Sequence, residues 1–305
     1  MTVFLHIVTL ICLALFGLVV GVRFFRIASM PIHLRWELYP VPHEKGADHG
    51  GSYLEQQDWW TRPREITRLG ELREMLPEML LLKALYRHNR ALWARSFPFH
   101  FGLYVLAAFA VLIGLGGLAN VAGLAVSGDG GLPGRALYYV PIPVGFLGLV
   151  LALFGSVGLL HRRLTDPALR DYTAASDLFN LVVFVATFGV ALTAAITNPT
   201  FSAFRDYAAS LATFSAAPPA NGLVWLAVLM GMLLLAYIPM THMAHFFVKW
   251  FTWHKIRWDD EPNLPGSRIE ARVKAALQYP VSWSAPHIQG EGKKTWVDIA
   301  TEKVK

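Results

Sequence analysis

Along most of this chain the apolar residues neither alternate at the period of a strand nor gather on one face at the period of a surface helix. They run on in five long blocks, at residues 2–22, 97–126, 137–160, 178–196 and 223–248, and no block contains Asp, Glu, Lys or Arg. About 20 residues of helix cross a hydrocarbon core about 30 Å thick, and a helix satisfies its own backbone there. The pattern predicts an all-α integral membrane five-helix bundle, and five crossings put the termini on opposite sides.

The blocks divide the chain into a first span (residues 1–23), a loop (24–96), a four-span bundle (97–251) and a tail (252–305). The loop opens on WELYPVPHEKG, passes a Gly and His stretch at 48–51, and ends in a helix-like run over 65–89 with alternating Glu and Arg. That run reads as an amphipathic element, lying on headgroups or contacting another subunit. The tail opens on WHKIRWDDEPN, carries a short helical run at 267–277 and closes on YPVSWSAPHI and KKTWVDIA. Trp283 and Trp296, in so polar a tail, read as a surface for a protein partner, because aromatics are favoured interface anchors.

Composition agrees, with 54% hydrophobic and only 16% charged residues. Charge then orients the spans. Residues 23–95 carry twelve Lys or Arg, 161–175 carry three and the tail from Lys249 carries ten, while each of the two other connections carries one, Arg135 or Arg205. By the positive-inside bias the N-terminus is outside, and the long loop, the third turn and the C-terminus are cytoplasmic, in the inner membrane of a multi-pass protein. The first block has no basic stretch before it and no small-residue cleavage site after it, so it is expected to be an anchor rather than a secretory leader. The net charge of +6 follows from topology and calls for no nucleic acid. A single cysteine, Cys12, cannot make an intrachain disulfide or a four-cysteine cluster. An iron–sulfur centre would belong to a partner.

Within the blocks the titratable groups are His6, Cys12, His100, His242, His245 and tyrosines, with no carboxylate. Coupled transporters usually carry an acidic relay near mid-membrane, which weakens a transporter reading. Apolar helices with facing imidazoles are the arrangement that holds a b-type haem. His100 enters the second span and His242 and His245 leave the fifth, so all three are expected near the cytoplasmic face. His242 and His245, three apart, share roughly one helix face with about 4.5 Å of rise, so only one is expected opposite His100. Pro239 is expected to kink the helix ahead of them.

Gly102, Gly114, Gly116 and Gly117, with Gly145, Gly148, Gly155 and Gly158, leave room for close helix approach or for a flat macrocycle. Arg95, Arg162, Arg163 and Lys249 at the same face offer partners for haem propionates, or are ordinary headgroup contacts. His161 reads as a snorkelling side chain, and His6 as structural or near a quinone.

The second-span entry SFPFHFGLYVLAAF, the third-span exit LLHRRLTDPALRDYTAASD and the fifth-span GMLLLAYIPMTHMAHFF resemble the gamma subunit of respiratory nitrate reductase. The loop and tail look more like membrane subunits of heterodisulfide-reductase-like and sulfite-reduction-associated complexes. The resemblance implies a membrane cytochrome b exchanging electrons between menaquinol or ubiquinol and a cytoplasmic iron–sulfur subunit, with the catalytic activity elsewhere in the complex. It implies His100 and His245 as axial ligands of one haem b. The positions matching the ligands of a second, outer haem are Ala110 and Ala227. One haem is therefore the reading adopted; two would need unconventional ligands such as His242 or His161. A haem-free membrane anchor is the main alternative.

Overall fold

The computed structural model describes residues 2–30, 39–44, 52–63, 65–216, 221–251, 263–285 and 288–303. The two ends of WELYPVPHEKG, residues 48–51 and nearly all of WHKIRWDDEPN lie outside these. The described chain is helical almost throughout, and five helices are long and apolar enough to cross a membrane: Thr2–Ser29, Arg90–Val121, Leu132–Thr165, Ala175–Thr197 and Gly222–Met240. The all-α, multi-pass expectation is met.

In chain order the helices are α1 (Thr2–Ser29), α2 (Arg68–Leu81), α3 (Lys83–His88), α4 (Arg90–Val121), α5 (Leu132–Tyr139), α6 (Pro141–Thr165), α7 (Pro167–Arg170), α8 (Ala175–Thr197), α9 (Ser202–Thr213), α10 (Gly222–Tyr237), α11 (His245–Lys249), α12 (Arg268–Leu277) and α13 (Trp296–Thr301). They form two compact units, residues 1–20 with 76–243, and residues 21–75 with 244–305.

In the first unit α4 packs along α6, α6 on α8, and α8 on α10, while α9 closes against α4. The α4–α6 seam is built on missing side chains. A Cβ on Gly102 would stand 2.5 Å from the Ala152 nitrogen, one on Gly148 would stand 2.9 Å from Leu106 Cγ, and one on Gly155 would collide with the Phe99 backbone. These glycines serve close helix approach, the first of the two roles open to them. Gly102→Ala is expected to force the seam apart and cost about 2 kcal/mol, the scale of an overpacked core, read as a lower thermal midpoint in detergent.

Rings fill the space between the helices. Phe184 stands edge-on to Phe99 at 4.9 Å and stacks on Phe188 at 5.6 Å. Towards the other end Phe201, at the start of α9, is 1% exposed and lies against Phe109, Phe146 and Phe204, with Gly145 making room beneath the ring. Its backbone is left-handed, φ 53 and ψ 26, which costs a non-glycine residue about 1–2 kcal/mol. Burial of the ring offsets that cost.

One turn later Arg205 is 2% exposed. Its stem lies on Gly116, Nη1 donates to the Thr200 carbonyl at 2.7 Å, and the guanidinium stands 5.1 Å from the Tyr138 ring. Burial pushes its pKa down and pushes that of Asp206 up, while the mutual charge of the pair opposes both shifts.

The first helix joins this unit through its buried residues Leu5, His6, Thr9 and Cys12. Ser210 Oγ donates to the Tyr207 carbonyl at 2.8 Å and lies 2.9 Å from His6 Nε2, so the imidazole Nε2–H donates to that hydroxyl. Thr9 and Tyr207 hydroxyls meet at 2.7 Å. His6 thus anchors α1 to α9, the structural role expected of it.

The second unit joins loop to tail. Phe24 meets Phe251 edge-on at 5.1 Å, and Arg272 Nη2 donates to the Met30 carbonyl at 2.6 Å. The 267–277 helical run appears as α12, capped by Ser267 on the Glu270 N–H. A two-residue hairpin, Ser284–Ala285 with Ile288–Gln289, then returns the chain to α13. Trp283 and Trp296 come together at 6.3 Å between centroids, both exposed.

Candidate functional site

Asn89 accepts the Leu92 N–H at 3.0 Å and starts α4 well before the apolar block, and the helix continues through Pro98 to His100. There the ring nitrogen Nδ1 lies 2.7 Å from the Ser96 carbonyl, one turn back, with the Ser96 hydroxyl at 3.3 Å. A carbonyl only accepts, so Nδ1 carries the proton. The imidazole is held as the tautomer whose Nε2 bears the lone pair, the orientation that a backbone carbonyl imposes on metal-ligating histidines.

This half-buried ring lies on the side of α4 away from the glycine seam. Ala107 and Ala110 on that side are exposed, and a Cβ on Gly114 would meet nothing within 4 Å. The helix there presents small side chains rather than a packed seam, and α4 shares no extended seam with α10. The donor chemistry and the small lining both fit an axial imidazole beside a flat group.

His242 and His245 differ from expectation. A continuous helix over 223–248 would stack them on one face, but α10 ends at Tyr237 and is followed by a 3-10 turn over Ile238–Met240. Thr241 is extended, His242–Ala244 forms a second 3-10 turn, and α11 starts afresh at His245. Pro239 lacks the N–H that would bond the Leu235 carbonyl, and the Thr241 hydroxyl receives the Met243 N–H at 3.1 Å, which caps the new turn. The two imidazoles therefore belong to different short elements, and both are exposed. His100 and His242 fall in the first compact unit and His245 and Lys249 in the second.

Arg162 and Arg163 hold the turn after α6. Arg162 Nε pairs with Asp166 at 3.3 Å, and Asp166 accepts the Ala168 N–H to start α7. Arg163 reaches the Tyr172 carbonyl at 3.4 Å and the Thr173 hydroxyl at 3.3 Å, with Asp177 at 4.0 Å. The LLHRRLTDPALRDYTAASD stretch is thus a self-bonded turn, while His161 beside it is exposed.

Two further polar groups meet between spans, buried Asn180 and half-buried Tyr237. Tyr237 donates to Asn180 Oδ1 at 2.7 Å, linking α10 to α8. Tyr237→Phe is expected to cost about 1–3 kcal/mol, because it strands the buried amide oxygen, and chemical denaturation in detergent would read it. Ala227 packs with Ala194 and Val224 in the α8–α10 seam, whereas Ala110 is exposed.

The profile of the nitrate reductase gamma subunit family matches residues 84–258. Comparison with curated proteins and with solved structures finds no match. The matched stretch is more than half of the chain and takes in α4 through α11, so the chain belongs to the nitrate reductase gamma subunit family, membrane b-type cytochrome subunits linked to quinone oxidation.

Proposed function

We propose that this chain carries one haem b between His100 and His245 and passes electrons between the quinone pool and a cytoplasmic iron–sulfur partner. The observation that carries the reading is the Nδ1 contact of His100 with the Ser96 carbonyl, which presents Nε2 as a ligand nitrogen. His245 supplies the second imidazole by its place in the matched family stretch. His242, in the separate turn before it, would line the site without completing the ligand pair. Arg162, Arg163 and Lys249 supply positive charge for the propionates, the two arginines from within their turn. When bound, haem supplies one-electron redox chemistry. With both imidazoles as its ligands, the group would serve electron transfer rather than oxygen binding.

Packing supports one haem rather than two. A histidine at Ala227 would have to enter the seam that Ala194 and Val224 fill, and Phe201 and its neighbouring rings fill the bundle at that end. The charge distribution supports an outer N-terminus, with the loop and tail in the cytoplasm where the iron–sulfur partner docks. We infer a partner of the heterodisulfide-reductase-like iron–sulfur kind, with menaquinol or ubiquinol as the membrane substrate.

Haem quantification on the purified full chain tests this reading. One haem b per polypeptide is expected. None would leave a haem-free anchor, and two would overturn the argument from Ala110 and Ala227.

A further inference from the structure

Helix α2 is inverted relative to a helix that faces water. Leu69, Leu72, Leu76 and Leu80, spaced three and four apart, are all exposed, Leu69 at 80%. The opposite side holds Gly70, Glu71 and Met75, all buried, and half-buried Glu74 and Glu78. Those carboxylates are used internally, Glu71 with Arg68 at 3.3 Å and Glu78 as acceptor of the Ala84 N–H at 3.0 Å. The exposed side carries Arg68 and Arg73 beside the leucines, so a helix with its acids on the protein side and leucines and long-stemmed arginines outside is matched to the boundary of an apolar phase rather than to water.

Two hydrogen bonds give the depth of its last turn. Trp93 Nε1 donates to the Leu81 carbonyl and Tyr104 Oη to the Met79 carbonyl, each at 2.8 Å. Tyr104 is nine residues beyond Arg95, the last charge before the span, or about 13 Å along the helix. The backward lean of a helical side chain recovers part of that rise and still leaves the Met79 carbonyl within the apolar stretch. The chain then turns at Leu82, φ 53, and climbs through α3 to exposed Arg87 and Arg90, with Tyr86 packed edge-on against Trp93 at 5.0 Å. Aromatic rings and arginines at that level match a headgroup layer.

We propose that the second half of α2 is an interfacial membrane element: Leu76 and Leu80 lie in the acyl chains of the leaflet at the Arg95 end of α4, with Arg87 and Arg90 at the lipid phosphates. This resolves the two roles open to the amphipathic run in favour of lipid over a second subunit, and it does not depend on haem.

The test places a nitroxide at Leu69→Cys, Leu76→Cys and Leu80→Cys in a Cys12→Ser full-length chain, reconstituted in phosphatidylcholine–phosphatidylglycerol vesicles. Power-saturation spectroscopy compares collision with oxygen and with a water-soluble nickel chelate. Oxygen is expected to dominate at 76 and 80. Dominance of the nickel chelate would overturn the proposal, as would exclusion of both reagents with an immobilised spectrum, which would mean a protein partner on the stripe. A label at Arg62→Cys, in the exposed loop, gives the water-facing reference in the same vesicles.

Discussion

His100→Ala is expected to abolish the low-spin b-type alpha band of the dithionite-reduced protein, and His245→Ala to do the same. The expectation rests on geometry at His100 and on the family match at His245. His242→Ala and His161→Ala keep the band, since one imidazole sits in a separate 3-10 turn and the other is exposed beside a turn closed by its own side chains. Ser96→Ala is the informative control. The proton on Nδ1 goes to the Ser96 carbonyl at 2.7 Å, with the hydroxyl farther away at 3.3 Å, so loss of the hydroxyl leaves the tautomer in place. The band is expected to survive in Ser96→Ala. A band retained in both His100→Ala and His245→Ala would refute the ligand pair.

The second large effect is on stability. Phe201→Ala removes a ring that is 1% exposed and leaves a cavity lined by Phe109, Phe146 and Phe204, a change that costs about 3–5 kcal/mol in well-packed cores. Thermal unfolding in detergent reads it directly. The left-handed backbone adds a less obvious expectation. Glycine adopts φ 53 without penalty and alanine does not, so Phe201→Gly is expected to be more stable than Phe201→Ala by about 1 kcal/mol. In a right-handed helix that order would be reversed.

The five crossings were legible because the length of an apolar run is a property of the sequence alone. Their ends were less so. Asn89 starts α4 at Arg90, seven residues before the apolar block, because a cap is a local hydrogen bond rather than a change in hydropathy. Pro239 was read as a kink within one span, yet it ends α10 and separates His242 from His245, since Thr241 caps a new turn immediately after it. His100 stood out as an imidazole among apolar residues. Its acceptor did not, because every helical residue has a carbonyl four positions back and only the ring orientation selects it.

Arg162 and Arg163 were visible as charge at the end of a span. Their partners Asp166, Thr173 and Asp177 emerged only from the path of the turn. Phe201 and Arg205 lie in a connection and take their importance from what α9 covers. The adjacent Gly116 and Gly117 were the trace of that close approach, and a Cβ on Gly117 would stand 2.8 Å from Ala208 Cβ.

The broken stretch from Ile238 to Ala244 has a consequence for life in different bilayers. A continuous ladder of backbone hydrogen bonds transmits rotation and tilt from one end of a helix to the other, but here the ladder stops at Tyr237 and resumes at His245. When a thicker or thinner membrane makes α10 tilt to match its hydrophobic length, the dihedrals around Thr241 can absorb the change. A tilt of α10 is therefore not passed through an unbroken helix to the residues beyond Tyr237, much as a coupling interrupts a shaft.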